Sequence, residues 1–402
     1  MNPEVTANIY NRMMNSIKSK IDNTTIKKID IVKSTTLDGN ILWTQLLLYD
    51  GEVLPIKIDI LTKLSKIPTR AIYLLPGTGL NVESNFIIPT SNSIATFLAN
   101  KCCLVIGITP REDSAPQDFN VELMKDWGLH KHTDDVNKVI NLFQSIYNMQ
   151  YDVLGHSGGA LIAFEHASIT SNRKLKAIRI IDVVGEYSPI SQKFNNAQVS
   201  LNAANQLLAS GTFVITDIAG VKYLSLLAQT DPNGDSGVPR PVPGGNFTNI
   251  GLLHFSLIFT GQLPGALTPI TGLPGSWFLE QGFLAGTYDF GATPTDDTFT
   301  LTHTNINTIF SAVPTIGSGI YPMAYERDIY ALLINSFSLA WQNIKVPVFY
   351  VNAALGFGEA SYTISLLTNS TVSSALVQDY GHADCVYSDT AKTDFWNILI
   401  PP

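Results

Sequence analysis

A glycine-rich run at positions 155–159, Gly-His-Ser-Gly-Gly, constrains the fold of this chain more than any other feature. The four residues before it, Tyr-Asp-Val-Leu, have the pattern of a short buried strand, and residues 160–167 are small and apolar, as in a buried helix. A sharp turn between two such elements strains its central residue, and glycine two positions away on either side leaves room for it. The sequence therefore predicts a strand, a tight turn that lifts the Ser157 hydroxyl above a sheet, and a helix.

Apolar runs alternate with helical segments on both sides of this turn. Such alternation is typical of strand–helix–strand units, so we predict an α/β fold with a mostly parallel central sheet flanked by helices. The predicted strands span residues 29–33, 41–48, 56–61, 71–75, 102–108, 151–154, 177–184, 346–351 and 375–378. The predicted helices begin at about Thr133, at Ala160 and at Asp389.

The alternation stops after Gly185 and resumes near residue 346. Residues 231–320 are dense in Gly, Pro, Thr and Phe, carry few charges and show no steady period. The simplest organisation is one core with a large insertion. We predict that residues 1–185 form the first part of the core, residues 186–340 an inserted cap or lid domain, and residues 341–402 the last part of the core.

The composition excludes several classes of protein. The chain has 25 Lys+Arg against 33 Asp+Glu, a formal net charge of −8, and only 14% charged residues. It is too apolar to be disordered, and without a basic block it is too acidic to bind nucleic acid through the phosphates. Three cysteines exclude a disulfide framework. Neither a metal-ligand cluster nor a phosphate-binding glycine loop is visible, so we expect no metal and no cofactor.

The first 25 residues are polar and lack the apolar stretch of a secretory signal. We therefore expect a cytoplasmic protein if the chain is complete, and a secreted one if a signal has been removed. Every run of 18 residues is interrupted by polar residues, Gly or Pro, so no membrane span is expected. The oligomeric state stays open.

A serine on such a turn becomes a nucleophile only when a base lies beside it. Of the seven histidines, His382 follows the last predicted strand and precedes the last predicted helix, and we predict that it is this base. His156 belongs to the turn itself and points away from the Ser157 side chain. We expect the His156 ring to pack at the site.

Three segments resemble the α/β-hydrolase superfamily, and within it the lipases and esterases with an inserted lid. Leu-Pro-Gly-Thr-Gly at residues 75–79 resembles the loop that supplies oxyanion donors, although it opens with Pro-Gly instead of the usual His-Gly. Residues 122–129 resemble a stretch of the acid lipases, and Tyr-Gly-His-Ala-Asp at residues 380–384 resembles their histidine segment. The likeness covers residues 30–185 and 345–400.

This resemblance implies a serine hydrolase that cleaves carboxylic esters through an acyl-serine intermediate, with Ser157 as nucleophile. Backbone N–H groups of Gly158 and of Thr78 or Gly79 would bind the oxyanion, and His156 would pack beside them. An acyltransferase, a peptidase or a thioesterase would use the same residues. A non-catalytic lipid-binding relative is the alternative outside enzymes.

The acid that would orient His382 stays open at this level. In the family it usually follows the strand predicted at residues 346–351, but there the loop offers only Glu359, about three residues late. Asp182, at the end of the preceding strand, is an alternative location in lipases, and Glu186 is a further candidate. We expect a structural role for Asp384.

The predicted cap is rich in large apolar residues and poor in charge. The set comprises Leu252, Leu253, Phe255, Leu257, Ile258, Phe259, Trp277, Phe278 and Phe283. Such residues either line or cover an apolar pocket, or they form the core of the cap itself. We expect a non-polar small-molecule or lipid ester as substrate, and any contact with a lipid surface would occur through the cap.

Overall fold

The computed structural model describes residue 15 and residues 25–101, 103–260 and 279–400. The strands in this part of the chain are β1 (Lys28–Leu37), β2 (Ile41–Tyr49), β3 (Ile56–Lys63), β4 (Arg70–Leu75), β5 (Cys103–Thr109), β6 (Tyr151–His156), β7 (Leu175–Ile181), β8 (Val214–Ile215), β9 (Asp235–Pro239), β10 (Asn246–Thr248), β11 (Gly286–Asp289), β12 (Thr298–Leu301), β13 (Tyr321–Pro322), β14 (Val348–Ala353) and β15 (Val372–Val377).

Nine of these strands form one sheet in the order β1-β2-β3-β5-β4-β6-β7-β14-β15. In this order the first three pairs, β1–β2, β2–β3 and β3–β5, are antiparallel. The pairs from β5 to β15 are parallel. Parallel neighbours need crossover connections, which usually carry helices over the faces of the sheet.

The helices are α1 (Ile94–Asn100), α2 (Leu129–Tyr147), α3 (Gly158–Ile169), α4 (Gln192–Ala209), α5 (Asp217–Thr230), α6 (Asn249–Ile258), α7 (Ile306–Ala312), α8 (Met323–Leu333), α9 (Ser361–Leu366), α10 (Asp384–Tyr387) and α11 (Asn397–Leu399). Alternate residues of β4 face two separate cores, as the pleat of a strand requires. Tyr73 and Leu75 pack in the core that contains α2 and α3. Ile72 and Leu74 pack in the core that contains α1 and α11.

The predicted mostly parallel sheet flanked by helices is confirmed, and each predicted strand overlaps an observed one. Position 102, where one strand was predicted to begin, lies outside the described residues. Helix α2 begins at Leu129, before the predicted Thr133. The reason is a distant cap, because the Asp328 carboxylate accepts the Leu129 N–H at 2.9 Å.

Residues 186–340 leave the central sheet after β7, and the chain returns to it at β14. The described part of this inserted segment contains α4 to α8 and three two-stranded sheets: β8 with β13, β9 with β10, and β11 with β12. Helix α4 was not predicted, although its buried residues Ala197, Leu201 and Ala204 have helical spacing. No described helix combines the length and apolar character that a membrane crossing requires.

Candidate active site

The C-terminal ends of four parallel strands meet at one edge of the sheet. Leu75 of β4 lies opposite Gly155 of β6, and Ile181 of β7 lies opposite both His156 and Val351 of β14. The loops that follow these strands therefore start side by side. In open α/β sheets this is the edge at which ligands bind.

Ser157 lies between β6 and α3 with φ 55° and ψ −127°, a backbone conformation that side-chain-bearing residues rarely adopt. Its flanking glycines are required by close packing. A Cβ on Gly155 would lie 2.5 Å from the Ala160 nitrogen, and one on Gly159 would overlap the Leu75 carbonyl oxygen. The predicted strand, tight turn and helix are all present.

His382 follows β15 and contacts a carboxylate at the end of β7, which lies two strands away in the sheet. Its Nδ1 lies 2.6 Å from Oδ2 of Asp182, the residue that follows β7. Asp182 is fully buried and also accepts the N–H groups of Ala353 at 2.7 Å and Phe357 at 3.2 Å. These bonds fix the carboxylate, and the contact at Nδ1 leaves Nε2 as the ring nitrogen that can take a proton from a hydroxyl.

The other acids named from the sequence lie elsewhere. Glu359 is exposed and accepts a hydrogen bond from Ser361 at 3.3 Å, and Glu186 accepts one from the Trp341 indole at 2.5 Å. Asp384 is buried and accepts the N–H groups of Ala285 and Gly381, both at 2.8 Å. Asp384 therefore links the loop that carries His382, the histidine loop, to the inserted segment. Burial raises the pKa of the Asp384 carboxyl group.

The loop after β4 packs directly against the turn. A Cβ on Gly77 would lie 3.3 Å from the Ser157 Cβ, and one on Gly158 would collide with the Thr78 hydroxyl. Gly79 has φ +72°, which favours glycine. The backbone of Thr78 and Gly79 and the start of α3 at Gly158 thus border the same space.

His156 is buried between the loop after β4 and the loop that carries His382. Its ring stacks on the His382 ring with the centroids 4.7 Å apart, and its Nδ1 lies 3.1 Å from the Asn85 side-chain oxygen. The same Asn85 oxygen accepts the Gly77 N–H at 2.9 Å. Asn85 was not singled out from the sequence, because nothing in its local pattern distinguishes it from the other polar residues around it.

The apolar set of the inserted segment divides in two. Leu253, Leu257 and Ile258 are buried in the core, with Leu252, Phe255 and Phe259 packed around the cluster that includes Ile258. Phe283 instead approaches His382, with the ring centroids 5.7 Å apart. Trp277 and Phe278 lie outside the described residues.

Among the described residues, no group of three or more His, Cys, Asp or Glu side chains could hold a metal ion.

No protein-family model matches the chain, and no curated protein does either. Solved structures do match. A structure described as a candidate lipase from Sulfolobus solfataricus is 16% identical, covers 93% of this chain and 98% of its own, and has a TM-score of 0.64. The chain has the α/β-hydrolase fold. A hypothetical protein from Pseudomonas aeruginosa, at 12% identity, covers 93% and 98% of the two chains with a TM-score of 0.50.

In the α/β-hydrolase fold the site residues follow one another along the chain as serine, acid and histidine. Ser157, Asp182 and His382 have this order along the chain, and Asp182 follows β7, not β14. Because β7 and β14 are neighbours that end at the same edge, the loops after both strands start side by side, and from the loop after β7 the Asp182 carboxylate reaches His382.

Helix α8 contacts the turn of this α/β-hydrolase fold and also carries a buried carboxyl group. The Tyr325 hydroxyl donates to the Gly158 carbonyl oxygen at 2.8 Å. The next residue, Glu326, is buried, and its burial raises the pKa of the carboxyl group to about 7. A hydrogen bond from Tyr330 lowers this pKa, and the charge of Asp217 raises it. The folded protein therefore favours neutral Glu326.

We expect this carboxyl group to make stability fall as the pH rises. The folded state holds a proton between the ordinary pKa of 4.5 and about 7, which the unfolded chain has already released, so the free energy of unfolding declines over that window. Over the whole window the loss is about 3 kcal/mol. Urea unfolding at pH 5 and at pH 8 should therefore show a smaller loss in Glu326→Gln than in the parent. The exposed Glu359→Gln serves as control, and an equal loss in all three proteins would contradict the prediction.

Proposed function

We propose that this protein is a serine hydrolase that cleaves carboxylic esters through an acyl-serine intermediate. The observation that carries the proposal is the 2.6 Å contact between His382 and the buried Asp182, at the same edge of the sheet as the strained Ser157. A serine, a histidine and an acid in this arrangement are the parts that acyl transfer requires.

In the proposed first step the Ser157 hydroxyl oxygen attacks the ester carbonyl carbon, and His382 Nε2 takes the hydroxyl proton. Asp182 holds the ring through Nδ1–H and stabilises the imidazolium that forms. The tetrahedral intermediate then collapses, the bond to the alkoxy oxygen breaks, and His382 returns the proton to the leaving alcohol. Serine is left as its ester with the acyl group.

In the second step water replaces the alcohol. His382 takes a proton from water, the resulting hydroxide oxygen attacks the acyl carbon, and the acid product leaves as Ser157 regains its proton. The same three residues serve both halves of the reaction, so the mechanism is complete with groups of this chain.

The negative oxygen of each intermediate needs donors that are already in place. We assign this role to the backbone N–H of Gly158 and that of Thr78 or Gly79, which border the space beside Ser157. Gly158 is the first residue of α3, and the positive end of a helix dipole favours an anion there. Removing a single such donor typically lowers the rate by roughly 10²–10³-fold.

An apolar acyl or alcohol group fits the surroundings of His382 best. Phe283 and Phe357 approach its ring with centroid distances of 5.7 Å and 5.3 Å, and the Ile218 side chain lies against Gly79. Aromatic and aliphatic side chains around a few polar groups are typical of sites for non-polar ligands.

A panel of p-nitrophenyl esters with acyl chains from two to sixteen carbons tests this function. We expect saturable release of p-nitrophenol that depends on chain length. Repeating the assay with added alcohol or thiol distinguishes hydrolysis from acyl transfer, because a transferase would form the new ester or thioester in place of the free acid. Tight binding of a fatty ester without any turnover would instead support a lipid-binding protein and contradict the proposal.

A further inference from the structure

His156 connects the loop after β4 to the histidine loop. Its Nε2 lies 3.3 Å from the backbone carbonyl oxygen of His382, which accepts a hydrogen bond in the tautomer that carries the proton on Nε2. On its other side Nδ1 approaches the Asn85 oxygen at 3.1 Å, which also accepts the Gly77 N–H. A neutral ring carries one N–H and donates to one of these oxygens at a time.

The His382 ring is enclosed by contacts on several sides. Asp182 contacts its Nδ1, the Phe357 ring packs edge to face against it, and the Phe283 ring lies 5.7 Å away between centroids. His156 covers one face, with an angle of 25° between the rings. Of these neighbours, His156 alone both stacks on the ring and contacts the backbone that carries it.

The ring of His156 is suited to lie against a histidine that becomes charged. Burial, together with the charge of His382, holds the pKa of His156 well below its usual value. His156 therefore stays neutral when His382 takes up a proton, and two stacked cations do not arise. A neutral aromatic face tolerates a cation above it.

We propose that His156 is a positioning residue that holds His382 in register with Ser157 through its stacked ring and its contact with the His382 carbonyl oxygen. This inference rests on the proposed function, since it assigns His156 a task in the same reaction. His156 supplies no group to the proposed reaction steps, so the proposed effect of its contacts is on the alignment of the base. Misalignment of a reacting group by about 1 Å can lower a rate by roughly 10²-fold.

Two variants separate the contacts. His156→Phe keeps a ring for stacking and removes the contact with the carbonyl oxygen, and His156→Gln keeps an N–H donor and removes the stack. We expect kcat to fall by roughly 10- to 100-fold in the Phe variant while KM changes by less than about threefold, because alignment and not binding is lost. If the Phe variant does not fold, the same expectation applies to the Gln variant.

His166→Phe is the matched control. His166 is also a buried histidine with two ring contacts, 3.2 Å to the Tyr151 hydroxyl and 2.6 Å to Asn137, but it lies within α3 away from His382. We expect it to lose stability while kcat stays within about twofold of the parent. A role for His156 in stability alone would make the two variants alike.

The acidic limb of the kcat/KM profile and the 15N NMR signals of His382 supply the deciding readouts. We expect both to change in the His156 variants and neither to change in His166→Phe. If the parent is active and a folded His156→Phe variant keeps kcat within twofold and the same pH profile, the inference about His156 is overturned. The proposed function is then unaffected. A parent without ester turnover overturns the proposed function, and the NMR signals then decide whether His156 still holds His382 in place.

Discussion

Replacing Ser157 with alanine is expected to lower kcat for ester hydrolysis by roughly 10⁴–10⁶-fold. The variant loses the hydroxyl oxygen that forms the proposed acyl intermediate, while the backbone at φ 55° and the packing of Gly155 and Gly159 do not depend on that atom. Steady-state rates on a p-nitrophenyl ester measure the effect, and the urea unfolding midpoint verifies that the variant is folded.

A second variant tests the same prediction, because the proposed attack by Ser157 needs His382 to take the hydroxyl proton. His382→Ala should lose activity to a similar extent, and the double variant should lose little more, because residues that act in one step are not additive. Activity of Ser157→Ala within tenfold of the parent would show that turnover occurs elsewhere.

Asp182→Asn is expected to lower kcat by about 10⁴-fold, because a neutral amide does not stabilise the imidazolium, and its NH2 group can donate to Nδ1 and favour the tautomer with the proton on Nε2. Glu359→Gln is the matched variant, since it also exchanges one carboxylate for an amide at a residue first considered for the same role. Its exposed side chain contacts Ser361, and we expect its kcat to stay within about twofold of the parent.

The comparison of these two variants also needs a measure of stability. Asp182 accepts two backbone N–H groups, so Asp182→Asn should unfold at lower urea concentration than the parent. A rate loss that is confined to kcat while the protein remains folded assigns the effect to catalysis. A larger loss in Glu359→Gln than in Asp182→Asn would contradict the proposed acid.

The sequence was most informative where local pattern and tertiary structure agree. Alternating apolar runs predicted the strands of the central sheet, since a strand buried on both faces must be apolar throughout. The glycines at 155 and 159 predicted the turn, because the contacts that exclude a Cβ there arise within one strand–turn–helix unit. The position of His382 after the last strand was readable for the same reason.

The choice of acid was not readable from the sequence, because it depends on the pairing of strands. Asp182 and the loop that holds Glu359 follow β7 and β14, which are far apart along the chain and adjacent in the sheet. Only their pairing brings Asp182 against Ala353 and Phe357. Local pattern alone left Asp182, Glu359 and Glu186 open as candidates.

The supporting residues around the site were missed for a related reason. Asn85 contacts His156, the Tyr325 hydroxyl donates to Gly158, and Asp328 accepts the N–H of Leu129. Each of these partners is far away along the chain, and Asn85 also accepts the N–H of the nearer Gly77. A polar residue in a loop or on a helix gives no local sign of such a partner. The early start of α2 follows from the same cause.

Labelling with a fluorophosphonate, read as intact mass, tests the central claim most directly. An activated serine attacks the phosphorus and retains the probe, so we predict a single adduct on the parent protein, mapped by peptide analysis to Ser157. The adduct should be absent in Ser157→Ala and form far more slowly in His382→Ala. A folded parent protein that takes up no probe, or a Ser157→Ala variant that is labelled as fast as the parent, would contradict the account.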